Sequence, residues 1–571
     1  MNFITQTENS VKSIEIEKIK DGEVSEYLVK IEFEEKITPK PISIIWHEPL
    51  VDIFSFWSSK CGVQHNITPD WNSRKEVSRT ASGMPLACLH SKADMNRVTV
   101  ALSDPTNPST LSFGVVEENG MAQMRIDLLS QLCPPMESYE VVIRIDKRDI
   151  PFYYAIKDVR KWWTTLGYEC AYTPDTAKLP MYSTWYSFHQ HTIPQEIINE
   201  CKIAKEYGMD TVIVDDGWQT DDNSRGYAFC GDWQVCQSKI PDMKSFVDEI
   251  HKLGMKFMIW FSVPFVGFES KNYERFKGMY LNTRKGARAS VLDPRFRQVR
   301  QFLVDIYEKG VKDYGWDGLK LDFIDSFELS EESSQDFDKM DTVSVEEAVQ
   351  MLLAETTERL KKINPHIMIE FRQSYVGPAI AKYGNIFRVT DCPDDAIFNR
   401  ESSLGLRLTS GTTAVHSDML MWHSNDTNES VMHQLLSVMF AVPQISVRIE
   451  DISNDHKKLL KSYLDFWRKH RKTILDGELT VSGADAGYTM AKSKKDGESV
   501  AVLYQNVIYK AESTTTEYVF NSTGCDEICV VSDIERSYEL YDIFGIKYKE
   551  GKILKGANLL ELKCCQMAKI F

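Results

Sequence analysis

In the stretch Thr211-Val-Ile-Val-Asp215-Asp216-Gly217-Trp218, a short apolar run is followed by two aspartates, a glycine and a tryptophan. Similar runs follow at Lys256-Phe-Met-Ile-Trp-Phe261 and Gly318-Leu-Lys-Leu-Asp322, and segments of helical period lie between them. Short apolar runs that alternate with helices are typical of a parallel sheet with crossover helices. This part of the chain therefore predicts an α/β fold.

The number of apolar runs distinguishes a closed barrel from an open sheet. We count eight strand candidates, at Met181–Tyr186, Thr211–Asp215, Lys256–Phe261, Gly318–Asp322, Ile367–Phe371, Ile386–Thr390, Thr413–His416 and Gln444–Val447. Eight strands are what a (β/α)8 barrel needs. The rival fold is an open doubly wound sheet, but no G-x-G-x-x-G motif follows the first strand.

Two capping boxes mark helix starts within this region. Thr192 with Gln195 predicts the beginning of one helix, and Ser344 with Glu347 predicts another that runs to about Ile363.

The flanks of this region have a different pattern. From about residue 10 to 160, and again beyond about residue 476, short alternating strands are separated by turn residues. We therefore predict a multidomain protein in which a central (β/α)8 TIM barrel, residues 171–475, is flanked by two β-domains. These are an N-terminal β-sandwich, residues 1–170, and a small C-terminal β-sandwich, residues 476–571.

Composition limits the classes of partner. The formal charge of −16 repels nucleic acid and anionic lipid, and no apolar stretch reaches the length of a membrane span. The N-terminus lacks the pattern of a signal peptide, so we expect a cytoplasmic protein. The 12 cysteines include no pair with the spacing of a zinc site, so we expect no metal and no cofactor. The sequence leaves the oligomeric state open.

Acidic residues mark the ends of three predicted strands. Strand two ends in Asp215 and Asp216, strand four in Asp322, and strand six in a segment that contains Asp391 and Asp394. An aspartate after a strand is usually a helix N-cap, which is the structural alternative for any one of them. Three such ends in one barrel predict a cluster of carboxylates in the site at the carboxyl ends of the strands.

Paired carboxylates suit either glycosidic cleavage or the binding of a divalent metal. The strand ends lack supporting histidines, which disfavours metal. Lys320 lies two residues before Asp322 and faces the same side of its strand, so its charge favours the ionised form that a nucleophile needs.

Taken together, the Asp-Asp-Gly-Trp motif, the Lys-x-Asp strand end and the Asp-x-x-Asp segment resemble a known family. They are similar to the α-galactosidases of glycoside hydrolase family thirty-six, and more distantly to the α-glucosidases of family thirty-one. The likeness spans residues from about 181 to 423. It implies an N-terminal β-sandwich, a central barrel and a C-terminal β-domain, which agrees with the division above.

The resemblance implies roles for four aspartates. Asp322 matches the family nucleophile and Asp391 the acid/base, which implies a retaining mechanism through a glycosyl-enzyme intermediate. Asp215 and Asp216 match a pair that binds the 4- and 6-hydroxyls of the sugar. The alternative for Asp216 is a cap on the following turn.

The resemblance also implies further substrate-binding positions. These are Trp185, Trp233, Lys320, Arg288, Arg372 and Asp394. Core packing is the alternative for the two tryptophans, and a surface ion pair is the alternative for Arg288. The segment Glu370-Phe371-Arg372-Gln373-Ser374 departs from the family pattern and is closer to that of family thirty-one. His416 either lines the pocket or is a structural, hydrogen-bonded histidine.

The leading hypothesis is a retaining exo-α-galactosidase that hydrolyses terminal non-reducing α-galactosyl residues of oligosaccharides. Within the same class, α-glucosidase, α-N-acetylgalactosaminidase and transglycosylase activities are alternatives. A catalytically inactive carbohydrate-binding protein on the same scaffold is the alternative outside that class.

Overall fold

A computed structural model describes residues 1–60 and 65–571. Its strands in chain order are β1 Ile4–Thr7, β2 Val11–Lys20, β3 Val24–Ile37, β4 Ile42–Pro49, β5 Ser55–Ser58, β6 Arg74–Ser78, β7 Leu86–His90, β8 Asn96–Leu102, β9 Ser109–Val116, β10 Met121–Leu128, β11 Met136–Asp146, β12 Met181–Ser183, β13 Thr211–Val214, β14 Lys256–Ser262, β15 Phe265–Gly267, β16 Tyr280–Arg284, β17 Ala289–Leu292, β18 Gly318–Asp322, β19 Met368–Arg372, β20 Ile386–Arg388, β21 Ala414–His416, β22 Gln444–Ile445, β23 Glu478–Ser482, β24 Met490–Lys495, β25 Glu498–Leu503, β26 Tyr509–Lys510, β27 Thr516–Asn521, β28 Ile528–Ser532, β29 Arg536–Tyr541, β30 Lys547–Ile553, β31 Gly556–Leu560 and β32 Met567–Ile570.

The α-helices are α1 Phe152–Thr165, α2 Trp185–Phe188, α3 Pro194–Glu206, α4 Met243–Lys252, α5 Asn272–Arg275, α6 Arg297–Tyr314, α7 Val345–Ile363, α8 Ala396–Thr409, α9 Asn428–Ser437 and α10 Asn454–Asp476.

The central sheet is a parallel barrel of eight strands. The strand order is β21-β20-β19-β18-β14-β13-β12-β22, and each paired neighbour is parallel. A parallel bridge between His416 and Val442 joins the segment before β22 to β21 and closes the ring. All eight predicted strands are present, so the predicted barrel is confirmed.

Of the two helix starts predicted from capping boxes, one is confirmed and one is wrong. Ser344 accepts a hydrogen bond from the amide of Glu347 and caps α7, which ends at Ile363 as predicted. The predicted cap at Thr192 is wrong, because α3 begins at Pro194 and Ile193 occupies its N-cap. Proline is well suited to the first helical position and holds the residue before it in an extended conformation, so the helix cannot begin earlier.

Two antiparallel sheets pack face to face at the N-terminus. Their strand orders are β1-β4-β10-β9-β6 and β2-β3-β11-β8-β7-β5. Alternate residues point into one shared core, as in β4, where Ile44 and Trp46 are almost fully buried. This is the predicted N-terminal β-sandwich.

The C-terminal segment also forms two sheets around a small core of its own. Seven strands in the order β23-β24-β25-β27-β32-β29-β30 face three in the order β26-β28-β31. The multidomain fold class is therefore as predicted, while the limits at residues 170 and 475 stay a prediction. Within residues 1–60 and 65–571, no helix has the length and apolar character needed to span a membrane.

Candidate active site

The carboxyl ends of the barrel strands gather charged side chains on one rim. Asp322 ends β18, and its side chain is buried. Its Oδ1 accepts hydrogen bonds from Arg372 Nε at 2.6 Å, from Tyr375 OH at 3.2 Å and from the Phe323 amide at 2.8 Å. Its Oδ2 accepts one from Trp260 Nε1 at 3.1 Å. Four donors therefore fix this carboxylate in one orientation.

The electrostatic environment keeps Asp322 ionised. Burial alone would raise the pKa of Asp322, but the charges of Arg372, Lys320 and Arg388 outweigh it and hold that pKa far below its usual range. The sequence-based prediction that a lysine favours ionised Asp322 is thus correct in sign, although Arg372 contributes more than Lys320.

Lys320 on β18 forms an ion pair with Asp215, which follows β13. Its Nζ lies 2.6 Å from Oδ2 of Asp215, and both side chains are almost fully buried. Burial alone would lower the pKa of Lys320, but Asp215 and other carboxylates raise it above its usual value. The amide of Asp215 in turn donates to Thr184 Oγ1 at 3.0 Å. Asp215 is therefore a fixed, buried hydrogen-bond acceptor at the carboxyl end of β13.

Asp216 is held by two amide side chains. Its Oδ2 accepts from Gln190 Nε2 and its Oδ1 from Gln219 Nε2, both at 2.7 Å. Burial raises the pKa of Asp216 to about 6. The next residue, Gly217, has φ of +110°, and a Cβ there would lie 2.6 Å from the backbone of Gln190. Only glycine fits this close approach, which keeps Gln190 against Asp216.

Asp391 lies at the mouth of the site, where 51% of its side chain is exposed. Arg388 Nη1 donates to its Oδ1 at 2.8 Å and to Oδ1 of Asp418 at 2.6 Å. Burial alone would raise the pKa of Asp391, but Arg388 and Lys320 hold it below its usual value, against the opposing charge of Asp322. Asp391 and Asp322 are therefore within electrostatic range of each other and share the same cations.

Asp418 is a fully buried carboxylate behind this rim. Its Oδ2 accepts from Tyr186 OH at 2.9 Å and from the Cys392 amide at 2.7 Å. Burial and Asp391 together raise the pKa of Asp418, although Arg388 opposes them. The neighbouring His416 is also fully buried and lies 2.7 Å from the carbonyl of Ala177 through Nε2. For His416 the structural alternative holds.

Two further predicted substrate-binding residues, Trp185 and Asp394, are at least partly exposed to solvent. Trp185 is partly exposed and stacks on His189 at a centroid distance of 3.8 Å. Asp394 is exposed near the proposed acid/base and accepts from Gln434 Nε2 at 2.9 Å. With Arg372, these side chains lie on or beside the acidic rim.

At two predicted substrate-binding positions the contacts favour the structural alternative. Trp233 is buried and packs edge-on against Phe261 at 5.0 Å, as core packing requires, and its role in sugar binding stays a prediction. It supports Trp260, which holds Asp322. The guanidinium of Arg288 lies 2.6 Å from Glu269, and both side chains are exposed. This is the surface ion pair named as the alternative for Arg288, and its subsite role stays a prediction.

Sequence reasoning did not single out Arg388 or Tyr227. Arg388 ends β20, three residues before Asp391, and its other two carboxylate partners, Glu370 and Asp418, are distant in sequence. Tyr227 lies in the long segment after β13 and is partly buried. Burial, together with the charges of Asp322 and Asp216, raises the pKa of Tyr227 far above its usual value. The sequence signal that could have identified Tyr227 is its place in the loop that follows the acidic end of β13.

The N-terminal sandwich braces this site. Arg79, in the segment between β6 and β7, donates to the carbonyl of Phe327 at 2.5 Å and to that of Asp325 at 2.6 Å. The amide of Gly83 donates to the carbonyl of Ser374 at 2.8 Å. Both contacts hold loops that follow β18 and β19, the strands that carry Asp322 and its partner arginine.

A known protein family matches the barrel region of this chain. The model of the Melibiase family matches residues 180–477, just over half of the chain. The chain belongs to the Melibiase family. The resemblance to the α-galactosidases of glycoside hydrolase family thirty-six is thereby confirmed.

Curated relatives match only part of this chain. Alpha-galactosidase 1 of Pediococcus pentosaceus is 30% identical over 198 residues, which cover 33% of this chain and 26% of that protein. Alpha-galactosidase Mel36A of Lactobacillus acidophilus is 30% identical over 151 residues, which cover 25% of this chain and 19% of that protein. The matched segments thus span about a quarter or less of these relatives.

Solved structures share the fold over almost the whole chain. The galactosidase domain of the alpha-galactosidase-sucrose kinase AgaSK has a TM-score of 0.66 at 14% identity and covers 96% of this chain and 78% of that one. A variant of alpha-galactosidase AgaA from Geobacillus stearothermophilus, in complex with stachyose, has a TM-score of 0.65 at 13% identity and covers 96% and 80%. At this identity the likeness shows the fold.

Proposed function

We propose that the protein is a retaining exo-α-galactosidase, with Asp322 as the nucleophile and Asp391 as the acid/base. The observation that carries the proposal is the contrast between the two carboxylates. Asp322 is buried, bound by four donors and held ionised, whereas Asp391 is half exposed at the mouth of the same cationic site. One group suits attack on carbon and the other suits exchange of a proton with solvent.

The first chemical step would break the glycosidic bond. An oxygen of Asp322 attacks the anomeric carbon while Asp391 donates its proton to the leaving oxygen. The bond between the anomeric carbon and the leaving oxygen breaks, and a covalent glycosyl-enzyme ester forms. Arg372 and Trp260 hold the attacking carboxylate in place, so little reorganisation is needed at the moment of attack.

The second step would reverse these roles. Asp391, now ionised, takes a proton from a water molecule that attacks the anomeric carbon, and Asp322 leaves. Two displacements restore the original configuration. Arg388 stabilises the ionised form of Asp391 that exists between the steps.

Asp215 and Asp216 support galactose as the sugar. Both are buried acceptors, unlike the half-exposed Asp391, and Asp215 is ion-paired with Lys320. The 4-hydroxyl of galactose is axial, and a hydrogen-bond acceptor placed for it discriminates against glucose. We propose that this pair binds the 4- and 6-hydroxyls, while Trp185 and Asp394 contact the sugar or the leaving group nearer the mouth.

Terminal α-galactosyl oligosaccharides are the proposed substrates. Complexes of AgaA variants with stachyose and with raffinose are known, and these sugars are the first candidates for this chain. We also propose a cytoplasmic location, which is supported by the fact that every cysteine within the described residues is a free thiol.

A panel of nitrophenyl α-glycosides tests the activity and the sugar together. The purified chain should release nitrophenol from the α-galactoside faster than from the α-glucoside and the α-N-acetylgalactosaminide that carry the same aglycone. Faster release from either of the latter would reassign the sugar. No release from any member by a folded protein that binds galactose would favour the non-catalytic carbohydrate-binding protein.

A further inference from the structure

A cluster of metal-binding side chains lies where helix α9 meets the C-terminal β-sheets. His433 on α9 faces Cys564 and Cys565, which lie between β31 and β32. The three ligand atoms lie within 4.8 Å of one another. Cys565 is buried, whereas His433 and Cys564 are partly exposed, so a small cation could enter from solvent.

The distances within this triangle match one face of a zinc tetrahedron. His433 Nε2 lies 3.4 Å from Cys564 Sγ and 3.8 Å from Cys565 Sγ, and the two sulfurs are 3.6 Å apart. A tetrahedral Zn²⁺ with ordinary bond lengths would place two sulfurs about 3.8 Å apart and a sulfur and a nitrogen about 3.6 Å apart. All three edges lie within about 0.2 Å of these values.

A neighbouring hydroxyl orients the histidine as a ligand. The Nδ1 atom of His433 lies 2.7 Å from Ser522 Oγ. When Nδ1 carries the proton and donates it to that oxygen, the lone pair of Nε2 points at the two sulfurs. Metal-bound histidines are usually held by such a hydrogen bond on the other ring nitrogen.

We propose that His433, Cys564 and Cys565 form a three-ligand site for Zn²⁺ that joins helix α9 of the barrel to the C-terminal β-sheets. Binding replaces the two thiol protons, which leave to solvent, with two zinc–sulfur bonds, and water supplies the fourth ligand. No oxidant or reductant takes part. The proposed zinc site shares no residue with the proposed catalytic pair, because none of its three ligands is hydrogen-bonded to Asp322 or Asp391.

Metal content is the first measurement. The full chain is stripped with a chelator under reducing conditions, reloaded with Zn²⁺ and desalted, and bound zinc is measured by mass spectrometry. We expect about one zinc per chain for the wild type and for the matched control C525S/C529S, whose cysteines lie in the same C-terminal region. We expect almost none for C564S/C565S. Wild-type protein that retains no zinc, or a C564S/C565S variant that retains one, would overturn the proposal.

Cobalt spectroscopy tests the ligands without any substitution. Co²⁺ in the stripped wild type should give the strong visible absorption of a tetrahedral ion and a near-ultraviolet sulfur-to-cobalt band, and one equivalent of Zn²⁺ should abolish both. His433→Gln should weaken the binding at least tenfold. Absence of the sulfur band, or a disulfide between Cys564 and Cys565 in freshly reduced protein, would contradict the site. Neither readout depends on glycosidase activity.

Discussion

Arg388 Nη1 lies 2.8 Å from Oδ1 of Asp391, so the proposed acid/base is ion-paired with a fully buried guanidinium. The same nitrogen lies 2.6 Å from Asp418, and the two carboxylates share one cation. Burial acts to raise the pKa of Asp391, but Arg388 keeps it below its usual value. Because the first step needs protonated Asp391, we expect kcat/KM to fall with rising pH from the acid side of neutrality.

Asp322→Gly should abolish ordinary turnover and make azide a substitute nucleophile. We expect kcat to fall at least ~10³-fold on a nitrophenyl α-galactoside. Azide in the vacated space attacks the β-face of the anomeric carbon, so the product should be the β-galactosyl azide. NMR of the product identifies the anomer. The surface variant Asp313→Asn, on α6, should retain the wild-type rate, and wild-type turnover by Asp322→Gly would refute the assignment.

Asp391→Gly should respond to azide with the opposite stereochemistry. Asp322 still forms the glycosyl-enzyme ester, so azide attacks from the α-face in place of the activated water. The product should be the α-galactosyl azide. The loss of kcat/KM should also be small for a dinitrophenyl leaving group and large for an alkyl one, because only the latter needs protonation. Equal losses for both leaving groups would contradict the role of Asp391.

The sequence predicted elements whose signals are local. Eight apolar runs gave the eight barrel strands, and Ser344 caps α7 because its partner is three residues away. Thr192 failed because Pro194, two residues on, sets the start of α3 instead. Trp233 and Arg288 could not be assigned, because a motif does not show which way a side chain points.

The contacts of the site could not be predicted where they join residues that are distant in sequence. Arg388 interacts with Asp418, 30 residues later, and with Glu370 on the preceding strand of the barrel sheet. His433 and Cys564 are 131 residues apart, and the search for paired cysteines at zinc spacing does not detect such a pair. Contacts of this kind depend on the closed barrel and on docking of the C-terminal sheets, neither of which has a local motif.

Asp216 should make galactose binding depend on pH near 6. Burial raises the pKa of Asp216 to about 6, so this carboxylate loses its charge as the pH falls through that value. A charged acceptor binds a hydroxyl more strongly than a neutral one, so the inhibition constant for galactose should rise as the pH decreases from 7 to 5. In Asp216→Asn it should be higher and independent of pH over this range. A wild-type inhibition constant that stays flat would remove Asp216 from the sugar site.

Arg79→Met should destabilise the contact between the N-terminal sandwich and the barrel. Arg79 is almost fully buried, donates to the carbonyls of Asp325 and Phe327, and lies 3.3 Å from the buried carboxylate of Glu346. Its removal leaves a buried charge without its cation, which costs roughly 3–5 kcal/mol of unfolding free energy. Urea unfolding measures this loss. Turnover should fall as well, because the braced loop follows Asp322.

A second substitution separates the unpaired charge from the lost packing. In the double variant Arg79→Met with Glu346→Gln, the buried group is neutral, so about 1–3 kcal/mol of the stability should return. Glu346→Gln alone should cost less than Arg79→Met, because the guanidinium keeps its two carbonyl acceptors. Strictly additive losses in the double variant would mean that Arg79 and Glu346 do not interact, and that Arg79 acts through the two carbonyls alone.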